Sequence, residues 1–466
     1  MNKVLSWIIP IVVGLAIYFT PAPAGVTTQA WHLLGIFAFT ILGFILQPLP
    51  LGAVAFIAVT AASMTGTLKM GEALSGFANS SIWLIVAAFL FSRGFIKTGL
   101  GKRIAYNLVN LLSGSTLKLS YALLLSDLVL APATPSNTAR CGGVIYPIAR
   151  SLSSAFKSEP DQGPRKMGAF LMQSIYQSDT ITSAMFLTSM AGNPLIATLV
   201  AQSFGYQVSW MMWFVAAIVP GAVALIVMPL VLYKLYPPEI KDTSSVKGLI
   251  TEELEKMGKM TKQEWIMLGV FILALVLWAT AQFSGLNETA IAFLGISILL
   301  VTAVLDWQDV IQEKGGWNTL MWMGTVMCLA TFLNKLGLIH VFAQTIGAQF
   351  DGFSWIYTLI ALAIIYLYAH YVFASLTVQV AAMYIAFVSI ALAAGAPVYP
   401  TIFVFAFFSN LCMSLTQYAA GPAPVVFGAG YITQGKWWQL GFIASVVNII
   451  IWLGIGFAWW KLIGLW

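Results

Sequence analysis

The sequence predicts an all-α polytopic membrane protein of about eleven transmembrane helices plus two re-entrant helical hairpins in an inverted repeat. Composition is the first observation behind this. Of 466 residues, 60% are apolar and only 8% are charged, whereas soluble globular chains average about 45–50% and about 25%. The 22 basic and 16 acidic side chains cannot cover a soluble surface for a chain of this length. The second observation is that the apolar runs are long and unbroken, as in Leu268–Ala281. A barrel strand shows weak alternation over ~10-residue segments instead, and a lipid-exposed backbone must satisfy itself internally, as a helix does. The third is that one stretch of the chain recurs later, facing the other way.

At roughly 20 apolar residues per span, spans fall near residues 4–20, 31–48, 51–66, 81–97, 168–200, 210–235, 264–283, 288–305, 317–335, 400–431 and 437–461. The first follows Met1-Asn2-Lys3 and resembles a signal peptide, but no A-x-A-like site follows and Pro21-Ala22-Pro23 intervenes, so a retained span is expected. Residues 119–150 and 355–394 are apolar too, yet each carries Pro or Ser/Thr near its middle. Neither fits one uninterrupted helix, and each reads as a hairpin. The soluble-looking segment is Tyr236–Glu264, a cytoplasmic linker in which Thr251–Lys262 is expected to form a short surface helix.

With the N-terminus inside and each hairpin counted as no crossing, 18 Lys and Arg lie inside. Lys69, Lys335 and Lys461 lie outside, and Arg140 sits within the first hairpin. That satisfies the positive-inside rule and puts the N-terminus in the cytoplasm and the C-terminus outside, in a multi-pass inner-membrane protein. Double crossings would leave the parity unchanged, so charge fixes orientation and not re-entrance. The net charge of +6 is then a loop property, and no nucleic-acid partner is implied. Cys141, Cys328 and Cys412 show neither disulfide nor zinc spacing and read as packing residues.

The repeat pairs Trp83–Leu100 with Trp322–Leu338, each ending in Lys-x-Gly-Leu. Each is followed by an amphipathic piece, residues 101–113 and 339–350, and then by a hairpin. Gly99 to Ser136 spans 37 residues and Gly337 to Ser375 spans 38. Farther on, Ala191-Gly192-Asn193-Pro194 and Ala420-Gly421-Pro422-Ala423-Pro424 interrupt matched apolar segments. Five crossings separate the two units, an odd number, so they are inverted. Inverted repeats with Gly/Pro-broken helices mark transporters, with substrate bound near the midplane where the breaks meet.

The first hairpin tip offers Ser136, Asn137 and Thr138 after two prolines, and the second offers Ser375, Leu376 and Thr377. Ser, Asn and Thr cap free N–H groups, and a helix N-terminus with hydroxyls and a carboxamide receives anions. Two such tips are expected to hold the two carboxylates of one small dicarboxylate, together with Asn193, Pro194, Gly421 and Pro422 at the breaks. Arg140 either contacts a carboxylate directly or pairs within the hairpin. Asp127 and Asp179 either relay protons or pair with it. His32, His340 and His370 share no ligand spacing and read as core residues. No hydrolase, zinc-protease or nucleotide-binding motif appears, so neither an enzyme nor ATP-driven transport is supported, and no cofactor or bound metal is expected.

On Ser136-Asn137-Thr138, Ser375-Leu376-Thr377, the run PSNTARCGGVIYPIARS and the run GPAPVVFGAGY, the chain resembles the divalent anion:sodium symporter family over essentially its whole length. It is most similar to the exchanger branch, with its bacterial citrate/succinate and tartrate/succinate antiporters and plastid 2-oxoglutarate/malate translocators. The resemblance implies a homodimer and an elevator mechanism. By it, residues 1–118 hold the first span and scaffold helices, and 119–235 the first half of the transport domain. Residues 236–263 form the linker, 264–354 the second half of the scaffold, and 355–466 the second half of the transport domain. Sodium-coupled relatives carry Ser-Asn-Thr at both tips. Here Leu376 removes one carboxamide, and Pro132 stands four residues before Ser136 where a hydroxyl would serve a cation. The expected function is exchange of di- or tricarboxylates among malate, succinate, 2-oxoglutarate, citrate and tartrate. The alternative is a sodium-coupled dicarboxylate symporter, and then an anion channel.

Overall fold

The structure is a computed structural model that describes residues 3–338, 341 and 354–466. The amphipathic piece expected over 339–350, with His340, lies outside the described residues. Every element described is helical; β pairing among these residues is an isolated bridge between Ser115 and Asp242.

The boundaries follow from capping chemistry. Thr27 accepts from the N–H of Ala30 at the start of Thr28–Leu46, Asn79 from Ser81 before Ser80–Thr98, and Ser209 from Met212 before Trp210–Leu235. Gly99 ends Ser80–Thr98 at φ +76°, a conformation glycine adopts without strain, and Leu100–Leu111 follows as the expected amphipathic piece. Lys262–Ser284 opens on a capping box in which Thr261 accepts from the N–H of Glu264 and the Glu264 carboxylate accepts from the N–H of Thr261. That corrects the linker reading. The surface helix is Val246–Met257, not Thr251–Lys262; Thr251 lies inside it, donating to the carbonyl of Lys247, and Thr261 caps the next helix.

Eight described helices are long and apolar enough to cross a membrane, and four shorter apolar helices accompany them. Three of the eight, Thr116–Ala133, Trp355–Val372 and Leu376–Ala393, are hairpin arms. The expected span 168–200 is split into Gly168–Met185 and Gly192–Phe204. Every residue of Gly168–Met185 is buried, including Gln173, Ser174, Gln177, Ser178 and Asp179. A helix this polar crosses only inside protein. Its counterpart is split into Val398–Leu411 and Pro422–Gly428.

Packing sorts the helices into two groups. Thr28–Leu46, Leu51–Met64, Ser80–Thr98 and Lys314–Lys335 pack together, with Glu288–Val301 against Ser80–Thr98. Around Gly168–Met185 lie Thr116–Leu130, Tyr146–Ala155, Trp210–Leu235 and Val398–Leu411. The returning arm of the first hairpin begins with a π-helical turn, Thr138–Ile145. Pro147 has no N–H to offer Gly143, and the ladder widens so that Tyr146 donates to Cys141.

Candidate functional site

Both hairpin tips are helix N-termini capped by their own serine. Ser136 Oγ accepts from the N–H of Ala139 at 3.2 Å, and Ser375 Oγ accepts from Val378 at 3.5 Å and lies 3.0 Å from Thr377 Oγ1. Each tip then meets the break of the opposite repeat. A Cβ added to Gly421 would stand 1.9 Å from Thr138 Oγ1, and one added to Gly192 would stand 3.3 Å from Thr377 Cγ2. Behind Thr138, Gly142 faces Val425 of Pro422–Gly428. Asn137 Nδ2 donates to Met413 Sδ at 3.4 Å in the second break.

The structure thus sets Asn137 and Thr138 against the second break, with Gly421, and Thr377 against the first, with Gly192. Among the described residues, the Thr138 hydroxyl and the Asn137 carboxamide oxygen have no hydrogen-bond partner, and both tips present N–H groups. Leu376, at 4% exposure, packs into the core. Pro194 and Pro422 start the second halves of the broken helices, and Pro194 lines a polar cavity with Asn79, Ser209 and Glu288. Asn193 is held by its own break: its Nδ2 donates to Ser183 O and Phe186 O, and its Oδ1 accepts from Asn410 Nδ2 at 2.8 Å. Asn410, which sequence reasoning missed, ties the two broken helices together. Its signal was an isolated carboxamide at the end of the apolar run Phe403–Phe408.

Arg140 is completely buried and every guanidinium donor is used. Nε reaches Asp127 Oδ1 at 2.8 Å. Nη1 reaches Thr134 O and Ser189 O, both at 2.9 Å. Nη2 reaches Asp179 Oδ1 at 2.6 Å and Ser183 Oγ at 2.9 Å. One side chain therefore joins both arms of the first hairpin, its tip and the first broken helix. Of the two roles open to Arg140, this geometry gives it pairing within the protein.

The second repeat solves the same problem differently. Gln379, four residues after Ser375 as Arg140 is four after Ser136, donates from Nε2 to Tyr366 O at 2.6 Å and turns Oε1 to His370 Nδ1 at 2.7 Å. His370 Nε2 lies 2.8 Å from Ala419 O in the second break. Both ring nitrogens lie within hydrogen-bond reach of an oxygen, one on the hairpin and one on the break. His370 is thus a buried link between hairpin and break. Five carbonyl oxygens along the seams already accept a side-chain hydrogen bond: Thr134 and Ser189 from Arg140, Pro132 from Thr188, Ala419 from His370, and Met413 from Tyr176.

Comparison with known proteins adds an independent line. A sequence profile for the sodium:sulfate symporter transmembrane region matches residues 1–466. The chain is 52% identical over 465 residues to the putative malate transporter YflS of Bacillus subtilis, covering 100% of this chain and 97% of that one. It is 47% identical to the chloroplastic dicarboxylate transporter 1 of Spinacia oleracea, covering 98% and 81%. It is also 38% identical to the inner membrane protein YbhI of Escherichia coli, covering 99% of each. The crystal structure of the YdaH transporter of Alcanivorax borkumensis shares the fold at 12% identity, with a TM-score of 0.59 over 98% of this chain and 97% of that one.

Proposed function

The chain belongs to the sodium:sulfate symporter family, the divalent anion:sodium symporters, and from that premise we propose that it exchanges small dicarboxylates across its membrane without coupled sodium. The substrate class is supported by the relatives named as malate and dicarboxylate transporters. It is also supported by the tips, whose N–H groups, hydroxyls and carboxamide suit carboxylates. The observation that carries the absence of sodium coupling is the occupied seam. A hard cation needs several oxygen ligands, and here five carbonyls between hairpin and break already accept from Arg140, Thr188, His370 and Tyr176. Leu376 and Pro132 subtract two further side-chain oxygens.

A carrier without a cation keeps two helix N-termini directed at an empty site, their positive ends uncompensated. A dicarboxylate supplies the missing negative charge, so the loaded carrier crosses more easily than the empty one. That is the physical basis of obligatory exchange. The group packed around Gly168–Met185 is the moving part in this reading, and the group around Lys314–Lys335 is the scaffold. The family resemblance adds a homodimer, and the charge bias of the loops adds a cytoplasmic N-terminus in an inner membrane.

Counterflow in proteoliposomes tests the proposal. Uptake of labelled malate is expected to require a dicarboxylate inside, and replacing sodium by choline is expected to change the rate little. Robust uptake into empty vesicles driven by an inward sodium gradient would establish symport instead.

A further inference from the structure

We propose that the cavity on the linker side, between residues 95–106 and the returning arm of the first hairpin, is a vestibule that receives the dicarboxylate before the tips do, with Lys102 as its recruiting cation. The inference rests on the exchange reading above. The cavity holds about 410 Å3 and is lined by Lys102, Tyr106, Gly143, Pro147, Ser151 and Glu253 among others. A Cβ built on Gly143 meets nothing within 4 Å, so the arm is open to the cavity there. Gly143 lies five residues beyond Thr138, one turn along the π-helical segment Thr138–Ile145.

The charges of the lining favour an anion. From Ser136 to Ser151 the arm carries no acidic residue. Its two arginines are engaged, Arg140 inward with Asp127 and Asp179 and Arg150 with Glu159 at 2.7 Å. That leaves Lys102, about half exposed, facing one carboxylate, Glu253. Lys102 Nζ stands 3.8 Å from Glu253 Oε2, the outer limit of an ion pair, whereas Lys256 Nζ holds Oε1 of the same carboxylate at 3.0 Å. Glu253 also accepts from the Tyr106 hydroxyl at 3.4 Å. It therefore keeps its partners when Lys102 turns to an incoming carboxylate, and the exchange of one carboxylate for another on Lys102 costs little. The polar cavity on the opposite side, about 380 Å3, contains Glu288 and no lysine or arginine. Recruitment is accordingly one-sided.

The test uses the full-length protein in sealed membrane vesicles of both orientations, with L-malate as the probe and its half-saturation measured separately at each face. Lys102→Gln is expected to raise half-saturation at the linker face three- to tenfold at low salt and to leave the opposite face unshifted. The difference should shrink as salt shortens the screening length. Lys102→Arg should restore the wild-type value, and Glu253→Gln should lower it. An unshifted Lys102→Gln, or an equal shift at both faces, overturns the vestibule while wild-type exchange stands. A wild-type protein that exchanges no dicarboxylate overturns the functional reading and the vestibule with it.

Discussion

Asn137, Thr138 and Thr377 face the seam with donors and acceptors that the protein itself leaves unused or only lightly used. Replacing Asn137 by Ala, or Thr138 and Thr377 by Val, is expected to weaken dicarboxylate binding by about 1–3 kcal/mol per lost bond to a charge, roughly 5- to 150-fold. Calorimetric titration of folded variants reads this directly, and wild-type affinity in all of them places the site elsewhere. Arg140 belongs to a different class. Arg140→Gln strands Asp127 and Asp179 in a buried environment and is expected to cost about 3–5 kcal/mol of stability, seen as a lower melting temperature in detergent. Arg140→Lys should not rescue it, since one ammonium cannot serve five directions. These residues differ in how far the sequence exposes them. The first tip's hydroxyls are legible because capping residues after paired prolines announce a helix start, and the second tip's because the repeat places Ser375 where Ser136 stands. The role of Arg140 is not, because Ser189 O and Asp179 arrive from segments 49 and 39 residues away.

At the scale of elements, the seam depends on how closely a tip approaches the opposite break, and the two sides are unequal. An alanine at Gly421 would put its Cβ 1.9 Å from Thr138 Oγ1, on the seam itself. At Gly192 the nearest atoms are the end of the Met190 side chain at 2.8 Å, which can rotate away. Gly421→Ala is therefore expected to cost about 1–3 kcal/mol of the closed arrangement and to slow exchange by roughly 5- to 150-fold. Gly192→Ala should cost less than about threefold by the same measure. Equal exchange rates in the two variants would show that the tips do not bear on the breaks. The breaks themselves are readable from Gly192-Asn193-Pro194 and Gly421-Pro422, since proline and glycine interrupt an apolar helix whatever surrounds it. The linker helix misleads because Thr251 and Thr261 both precede glutamates. Only Thr261 has one three residues on, where it reaches back to the cap. The π-helical turn after Thr138 has no sequence period of its own and follows from Pro147 beside two glycines.

At the scale of the molecule, the question is whether the two packing groups move as bodies. On the side away from the linker the two groups meet through local polar contacts beside the stacked Trp210 and Trp278 rings. Thr331 Oγ1 donates to Gln202 Oε1 at 2.6 Å, Asn334 Nδ2 to Gln202 O at 2.8 Å, and the N–H of Trp210 to Glu288 Oε1 at 2.7 Å. Bonds of this kind, each worth about 1 kcal/mol net, exchange for water or for new partners at small cost. The hydrophobic packing inside each group does not. In the proposed reading one group slides along the other, and this requires Gln202 to leave Thr331. A Gln202→Cys, Thr331→Cys pair bridged by mercury should abolish exchange and recover it on addition of thiol, with each single cysteine as control. An Arg93→Cys, Asp309→Cys pair spans residues that form an ion pair at 3.4 Å at the other end of Ser80–Thr98. Bridging it joins residues on the same body and should leave exchange intact. If the bridged Gln202–Thr331 protein still exchanges malate, the groups do not slide, and access must alternate by opening of the tips alone.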